Sequence, residues 1–430
     1  MSLISEKIKV ELDCIVNIAR NHDNHSIGES LFFDVMQSIK ADASLIAECK
    51  QYIEDNNVEI RAEAKDIEDI DESVDRSAIF KPYDASNIDI SPKQPTINNI
   101  IERLANDEID LMPDFQRRAG LWSEQQKSQL IESLILRIPL PAFYFDGSKD
   151  EKWIVIDGLQ RLSALKAFFV DKSLKLSDLE FHKDLNGASF DDMPRVYTRR
   201  MLETQVTTYI INPGAPINLK YNIFKRINTG GLRLEPQEIR HALYQGYATT
   251  YVKELSDLQL FKEATGYSIR TERMLDREFI LRFIAFYEQK LELYNGAIEL
   301  FLNDAMDIVN TKYDPTKNPG YSEGIKSVFE NTLALSVELF GQFAFRRMPD
   351  QQKRRPLSKA LFETWTSCLA KLTLDERSAL KKNKSIFTEK YIQMNRDDLE
   401  FMSSLGSAKI SSVRKRFESI QGLIKEAVKC

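Results

Sequence analysis

The sequence predicts an α+β fold: a small mixed-sheet domain, then a mostly α-helical domain, preceded by a helical acidic segment. Three observations lead there. A β-hairpin pattern running into a helix lies between residues 142 and 170. A train of amphipathic helices begins near Asn218. The first 90 residues carry a charge balance unlike the rest. At 430 residues, 43% hydrophobic and 29% charged, the chain has ample material for two or three domains with ordinary cores.

Residues 4–55 read mainly as helix, with apolar residues recurring at Ile8, Leu12, Ile15 and Ile18, then at Ile27, Leu31, Val35 and Ile39. His22 and His25 fall in a polar break and read as solvated loop histidines. Residues 54–76 are dense in Glu and Asp and read as a solvated helix or linker. The expected segments are 1–79, acidic and helical; 80–216, the sheet domain; and 217–430, helical.

Within the second segment, Pro92 and Pro95 precede a helix expected from Thr96 to Ala105, with Thr96 as its cap. A short extended stretch, IDLMPDFQRRAGLW, follows. Ser123 and Gln126 have capping-box spacing before an apolar-periodic run that Pro139 and Pro141 stop. AFYFDGSKDEKWIVID reads as a hairpin with Asp146-Gly147 in its turn and Trp153–Ile156 as its returning strand. From there to about Pro216 the pattern is mixed strand and loop. Helices are expected at 235–246, 250–261, 276–290, 298–310, 321–345, 357–371 and 411–428.

Residues 1–90 hold 20 acidic and 9 basic side chains, whereas the remainder holds 45 acidic and 50 basic. An acidic front on a mildly basic body does not by itself argue for nucleic acid. The four cysteines, Cys14, Cys49, Cys368 and Cys430, match no metal-ligand spacing, and with four histidines a structural zinc site is not expected. No apolar run approaches a membrane span of ~20 residues, and the start of the chain lacks a secretory pattern, so a cytoplasmic protein is expected.

The chemistry concentrates at the end of the returning strand, in Asp157-Gly158-Leu159-Gln160-Arg161. A strand handing over to a helix through glycine leaves first-turn N–H groups without helical partners, able to meet phosphate oxygens. Gly158 lets an anion approach, Arg161 adds a planar charged donor, and Gln160 adds a hydrogen-bonding amide. Asp157 either holds a divalent metal or orients Arg161. A capped helix with an Asp–Arg ion pair and no ligand is the competing reading. Gln116, Arg117 and Arg118 form a second polar, basic cluster, beside which Phe115 and Trp122 read as hydrophobic anchors. A third joins Arg226 and Asn228 to the Thr229-Gly230-Gly231 turn, a candidate anion nest, with Glu238 and His241 on the following helix.

Taken together, PDFQR (113–117), WS (122–123), IPLP (138–141), DGLQR (157–161), INTGG (227–231), EIRHALY (238–244) and RMLDREFILRF (273–283) resemble the DGQQR-motif family. That family supplies the front domain of GmrSD-type modification-dependent restriction enzymes, and the resemblance covers about residues 80–345. Leu159 stands where the family usually has glutamine, which removes one polar contact at the helix mouth. GLQRLSA also resembles the helix start of the ParB and sulfiredoxin fold, which implies a ParB/sulfiredoxin-like sheet domain that holds nucleotide phosphates. The resemblance implies a nucleoside triphosphate with Mg2+ and weak hydrolysis, in a sensor or regulator of a bacterial restriction or anti-phage defence system. An enzyme reading puts Arg117 and Arg161 on phosphates, Asp157 on the metal, Asn228 on phosphate or attacking water, and Glu238 and His241 as candidate bases by position. Expected partners are double-stranded DNA and a separate nuclease or defence subunit, with no membrane and with self-association open. No histidine follows His241, so an HNH-type nuclease is not expected in this chain. Arg346, Arg347, Lys353, Arg354, Arg355 and RKRF (414–417) are candidate phosphate-backbone contacts. The alternative function is a nucleotide-independent DNA-binding or protein-interaction scaffold.

Overall fold

The computed structural model describes residues 8–9, 12–13, 16, 26–28, 43–56, 58–61, 67–68, 90–111, 122–148, 152–227, 234–269, 271 and 273–429. The chain divides into two compact units, one of residues 79–249 with 272–274, the other of residues 1–78, 250–271 and 275–430. The boundary expected at 216 falls inside the first of these.

That first unit is built on a five-stranded mixed sheet. In chain order its elements are β1 (Ile90–Lys93), α1 (Ile97–Ala105), β2 (Ile109–Asp110), α2 (Glu124–Ile135), β3 (Phe143–Asp146), β4 (Trp153–Asp157), α3 (Leu159–Leu165), α4 (Arg195–Glu203), β5 (Thr208–Ile211), α5 (Ile217–Ile227) and α6 (Pro236–Leu243). The strand order is β1-β5-β3-β4-β2. The expected hairpin is present: β3 and β4 pair antiparallel, with Asp146 opposite Ile154 and Tyr144 opposite Asp157. β5 then joins β3 in parallel and β1 antiparallel.

Strand alternation sorts the side chains to two faces. Phe143, Phe145 and Val155 look into one core with α1, α2 and α3, through Ile100, Leu104, Ile131, Leu134, Leu162 and Leu165. Ile154, Ile156 and Ile211 look into the other, against Tyr221 and Phe224 of α5 and Ile239 of α6. Both expected caps form. Thr96 and Ser123 each accept from the N–H three residues on, and Asn99 and Gln126 return the bond. The stretch before Pro216 contains more helix than its pattern suggested, in α4 and in short 3-10 turns at Lys183–Leu185 and Phe190–Asp192. Glu132 of α2 organises this region. Its carboxylate accepts from the N–H groups of Glu180, Phe181 and His182 at 3.0, 2.8 and 2.8 Å.

The other unit is largely helical. Six of its helices fall where periodicity put them: Tyr247–Asp257, Leu275–Glu288, Ile298–Ile308, Tyr321–Phe340, Lys359–Ala370 and Ile410–Lys429. Near its start the expectation fails in two places. Ser26–Gly28 is a strand paired parallel with Glu59–Arg61, and Ile67–Glu68 pairs parallel with Leu357–Ser358. In each, backbone pairing with residues distant in sequence replaces the helix or linker expected from local pattern. Among the described residues no helix is long and apolar enough to cross a membrane.

Burial pushes the Glu132 carboxyl up, but the three N–H donors outweigh it and hold it below its usual range. The stability it contributes is therefore present above the unfolded value and lost as pH falls through the folded one. Glu132→Gln is expected to cost about 2 kcal/mol near neutral pH. In urea denaturation followed at decreasing pH, the gap from the parent protein should narrow below about pH 4.

Candidate functional site

β4 ends at Asp157, and Gly158 turns the chain with φ +101°, a left-handed conformation that favours glycine. α3 begins at Leu159 and runs without a break into a π-helical turn, Lys166–Val170. No side chain caps this start, and the first helical bond is from the Leu162 N–H to the Gly158 carbonyl at 2.8 Å. The N–H groups of Leu159, Gln160 and Arg161 therefore face the mouth without helical partners.

Arg161 is turned inward and is only 9% exposed. Its Nη2 donates to Asp157 Oδ2 at 2.7 Å and to the Ala142 carbonyl at 3.2 Å, while Nη1 donates to the Pro141 carbonyl. The guanidinium also lies over the Phe143 ring, 4.6 Å from its centroid. One side chain thus joins the strand end, the entry to β3 and the helix. Gly158 is required by the same packing: a Cβ there would meet Phe143 Cδ1 at 2.5 Å and Arg161 Nη2 at 3.3 Å. The approach that this glycine permits is that of the protein's own phenylalanine. A phosphate at the mouth would meet the helix amides, with Arg161 holding the frame.

Asp157 keeps 24% of its side chain exposed. Burial raises its carboxyl above the ordinary range, and the Arg161 guanidinium and Gly158 N–H offset this only in part. Across the hairpin, Tyr144 stacks on Tyr209 with centroids 4.9 Å apart. Burial, then Tyr209 and Asp157, push the Tyr144 hydroxyl up. Gln160 accepts from the Trp122 N–H at 3.2 Å, tying the DGLQR turn to the start of α2, and Trp122 is the expected hydrophobic anchor. Leu159 packs against both cores. At that position the departure from the family pattern supplies apolar contact between the two faces of the sheet.

The remaining candidates fall in different settings. Glu238 is 2% exposed; it accepts from the Glu235 N–H at 2.7 Å and pairs with Arg273, whose Nη2 lies 2.8 Å from Oε2. It closes a capping box and holds one residue of the RMLDREFILRF stretch. Arg226 is exposed at the end of α5, the helix that packs on β4. His241 lies on α6 and is half-buried. Gln116, Arg117, Asn228, Thr229, Gly230 and Gly231 lie outside the described residues, as does Phe115.

The basic patch is corrected in part. Arg346 is 3% exposed and donates to the carbonyls of Arg355 and Thr265 and to Ser268 Oγ; Arg347 pairs with Glu68 at 2.7 Å. In RKRF, Arg416 is 1% exposed and pairs with Glu363. Arg346 and Arg416 support the interior of their unit, so neither offers charge to a phosphate backbone.

Sequence reading missed the Asp146–Lys220 pair. Lys220 of α5 lies 3.0 Å from Asp146 Oδ2 at the end of β3, both nearly buried, and it also donates to Ser148 Oγ. A lysine on the inner face of an amphipathic helix was the available signal. Among the described residues, no group of three or more His, Cys, Asp or Glu side chains is gathered to hold a metal ion. Cys49 and Cys368 are buried free thiols, and burial pushes that of Cys368 up to about 12.

Gly158→Ala is expected to destabilise the protein by about 3 kcal/mol, because it adds a side chain at positive φ and forces Phe143 out of place. Denaturant unfolding measures this. A change within about 0.5 kcal/mol would contradict the packing described.

No curated protein and no solved structure gives a significant match to the chain. One family does match, over residues 97–245, about a third of the chain. The matched span runs from α1 to just past α6 and includes β3, the Gly158 turn and Glu238. Residues 97–245 thus match the family described as the GmrSD restriction endonuclease, N-terminal domain.

Proposed function

We propose that this chain is a component of a DNA restriction or defence system in which the 97–245 domain binds a nucleoside triphosphate at the mouth of α3 and acts as a sensor or regulator. The observation that carries the reading is the helix start behind Gly158, which no side chain caps and whose first three N–H groups lack helical partners, beside a partly exposed Asp157. The phosphates meet the amides of Leu159, Gln160 and Arg161, with Arg226 as a further contact; the other candidates, Gln116, Arg117 and residues 228–231, lie outside the described residues. Arg161 acts on the ligand through Asp157, by fixing the carboxylate and the strand end.

Asp157 is the residue suited to Mg2+. With Arg161 on Oδ2, it would give the ion one oxygen, and phosphate and water would give the rest, a division Mg2+ commonly adopts. Binding is favoured over turnover, because Glu238, the candidate base, is already committed to Arg273 and the Glu235 N–H. A second reading, a nucleotide-independent scaffold for DNA or a partner subunit, is favoured by the same inward commitment of Arg161.

Titration of ATP, GTP and CTP with Mg2+, followed by calorimetry, separates them. Asp157→Asn preserves shape and should weaken Mg2+-dependent affinity roughly tenfold while the protein stays folded by circular dichroism. Absence of affinity for all three nucleotides, or affinity indifferent to Asp157→Asn and Arg226→Ala alike, would favour the scaffold.

A further inference from the structure

The same sheet carries a cavity at the other end of β4, away from the Gly158 turn. It has a volume of about 510 Å³ and lies between α1 and the strands, with Trp153 at its base. Trp153 is the first residue of β4 and Asp157 the last, so the two sites stand ~13 Å apart along the strand.

The cavity's chemistry differs from that of the α3 mouth. The Trp153 indole rests on Phe145, with centroids 5.4 Å apart, and carries Arg103 over its ring, the guanidinium carbon 4.0 Å from the centroid. Arg103 is fixed there by Glu108, Nη1 to Oε2 at 2.9 Å, and Glu108 is itself fixed where its carbonyl accepts from the Trp153 N–H at 2.8 Å. The ring and the guanidinium therefore form a preset platform. Lys93, at the end of β1, is exposed, with its Nζ 6.0 Å from the Trp153 centroid, and it forms no ion pair among the described residues. Gln94, Asn99 and Asn106 bring side-chain amides to the rim. Asn99 uses its oxygen on Thr96, which leaves its NH2 for a ligand.

The charges nearly cancel, since Glu102 and Glu108 share the lining with Lys93 and Arg103. A polyphosphate is thus a poor occupant. A planar, hydrogen-bonding ring attached to one phosphate is a good one: the ring stacks on the Arg103–Trp153 platform, its edge meets the amides, and the phosphate meets Lys93. We propose that the Trp153 cavity binds one nucleotide unit, either of single-stranded nucleic acid or as a free monophosphate, separately from the triphosphate proposed at α3.

The test uses the full chain with two probes, a fluorescently labelled oligothymidylate and free thymidine monophosphate. Polarisation and intrinsic tryptophan quenching are the readouts. Lys93→Glu and Arg103→Ala are each expected to weaken binding about tenfold, and Trp153→Phe should remove the quenching although Trp122 and Trp365 remain. Binding of the oligonucleotide alone assigns the site to nucleic acid, and binding of both probes assigns it to the nucleotide unit itself. Absence of binding, or binding that ignores Lys93→Glu and Arg103→Ala, overturns the proposal. ATP, GTP and CTP titrations of Lys93→Glu should match those of the parent protein, so either site can fail without the other.

Discussion

The Arg161 guanidinium is the constraint on which the sheet domain depends. It bonds to the carboxylate that ends β4, to two carbonyls that lead into β3, and to the face of Phe143. A side chain at Gly158 would collide with Phe143 and crowd Arg161 Nη2. The hairpin, the helix and their shared core are therefore fixed at one point. The cost of burying an arginine is offset by multiple acceptors and a carboxylate, and removing any of them would leave a buried polar group unpaired.

Under the proposed function, one short motif serves structure and ligand together. The side chains of Arg161 and Gln160 face inward, one to the strands and the other to the start of α2. The first-turn N–H groups of the same helix have no helical partners. The amides keep their position because the side chains are committed, so the mouth is pre-organised at the expense of a free guanidinium. Glu238 on α6 follows the same pattern, where a polar residue singled out by its motif spends its charge on the frame.

Much of this was legible in the sequence. The two helix caps, the Asp-Gly hairpin and the main helices beyond residue 218 are written in local spacing, and the structure follows them closely. Non-local pairing was not legible. Nothing in the order of residues places Ile67–Glu68 beside Leu357–Ser358, or brings β5 between β1 and β3. Buried charge was equally hidden. Arg282, Glu363 and Arg416 form one nearly solvent-free network, with Arg282 Nη1 2.8 Å from Glu363 Oε2, and nothing in their local spacing marks them as buried. Which charged residues turn inward is decided by the partner that meets them, and that partner is distant in sequence. The Trp153 cavity escaped for the same reason, because α1, β1 and β4 contribute to it separately.

The central claim is that the backbone amides following Gly158 receive the ligand while the Arg161 side chain holds the frame. Amide hydrogen exchange of the full chain, with and without nucleoside triphosphate and Mg2+, tests this most directly. The account predicts slowed exchange at Leu159, Gln160 and Arg161 when nucleotide is bound. Bound nucleotide that leaves those three amides unchanged while protecting another region would contradict it.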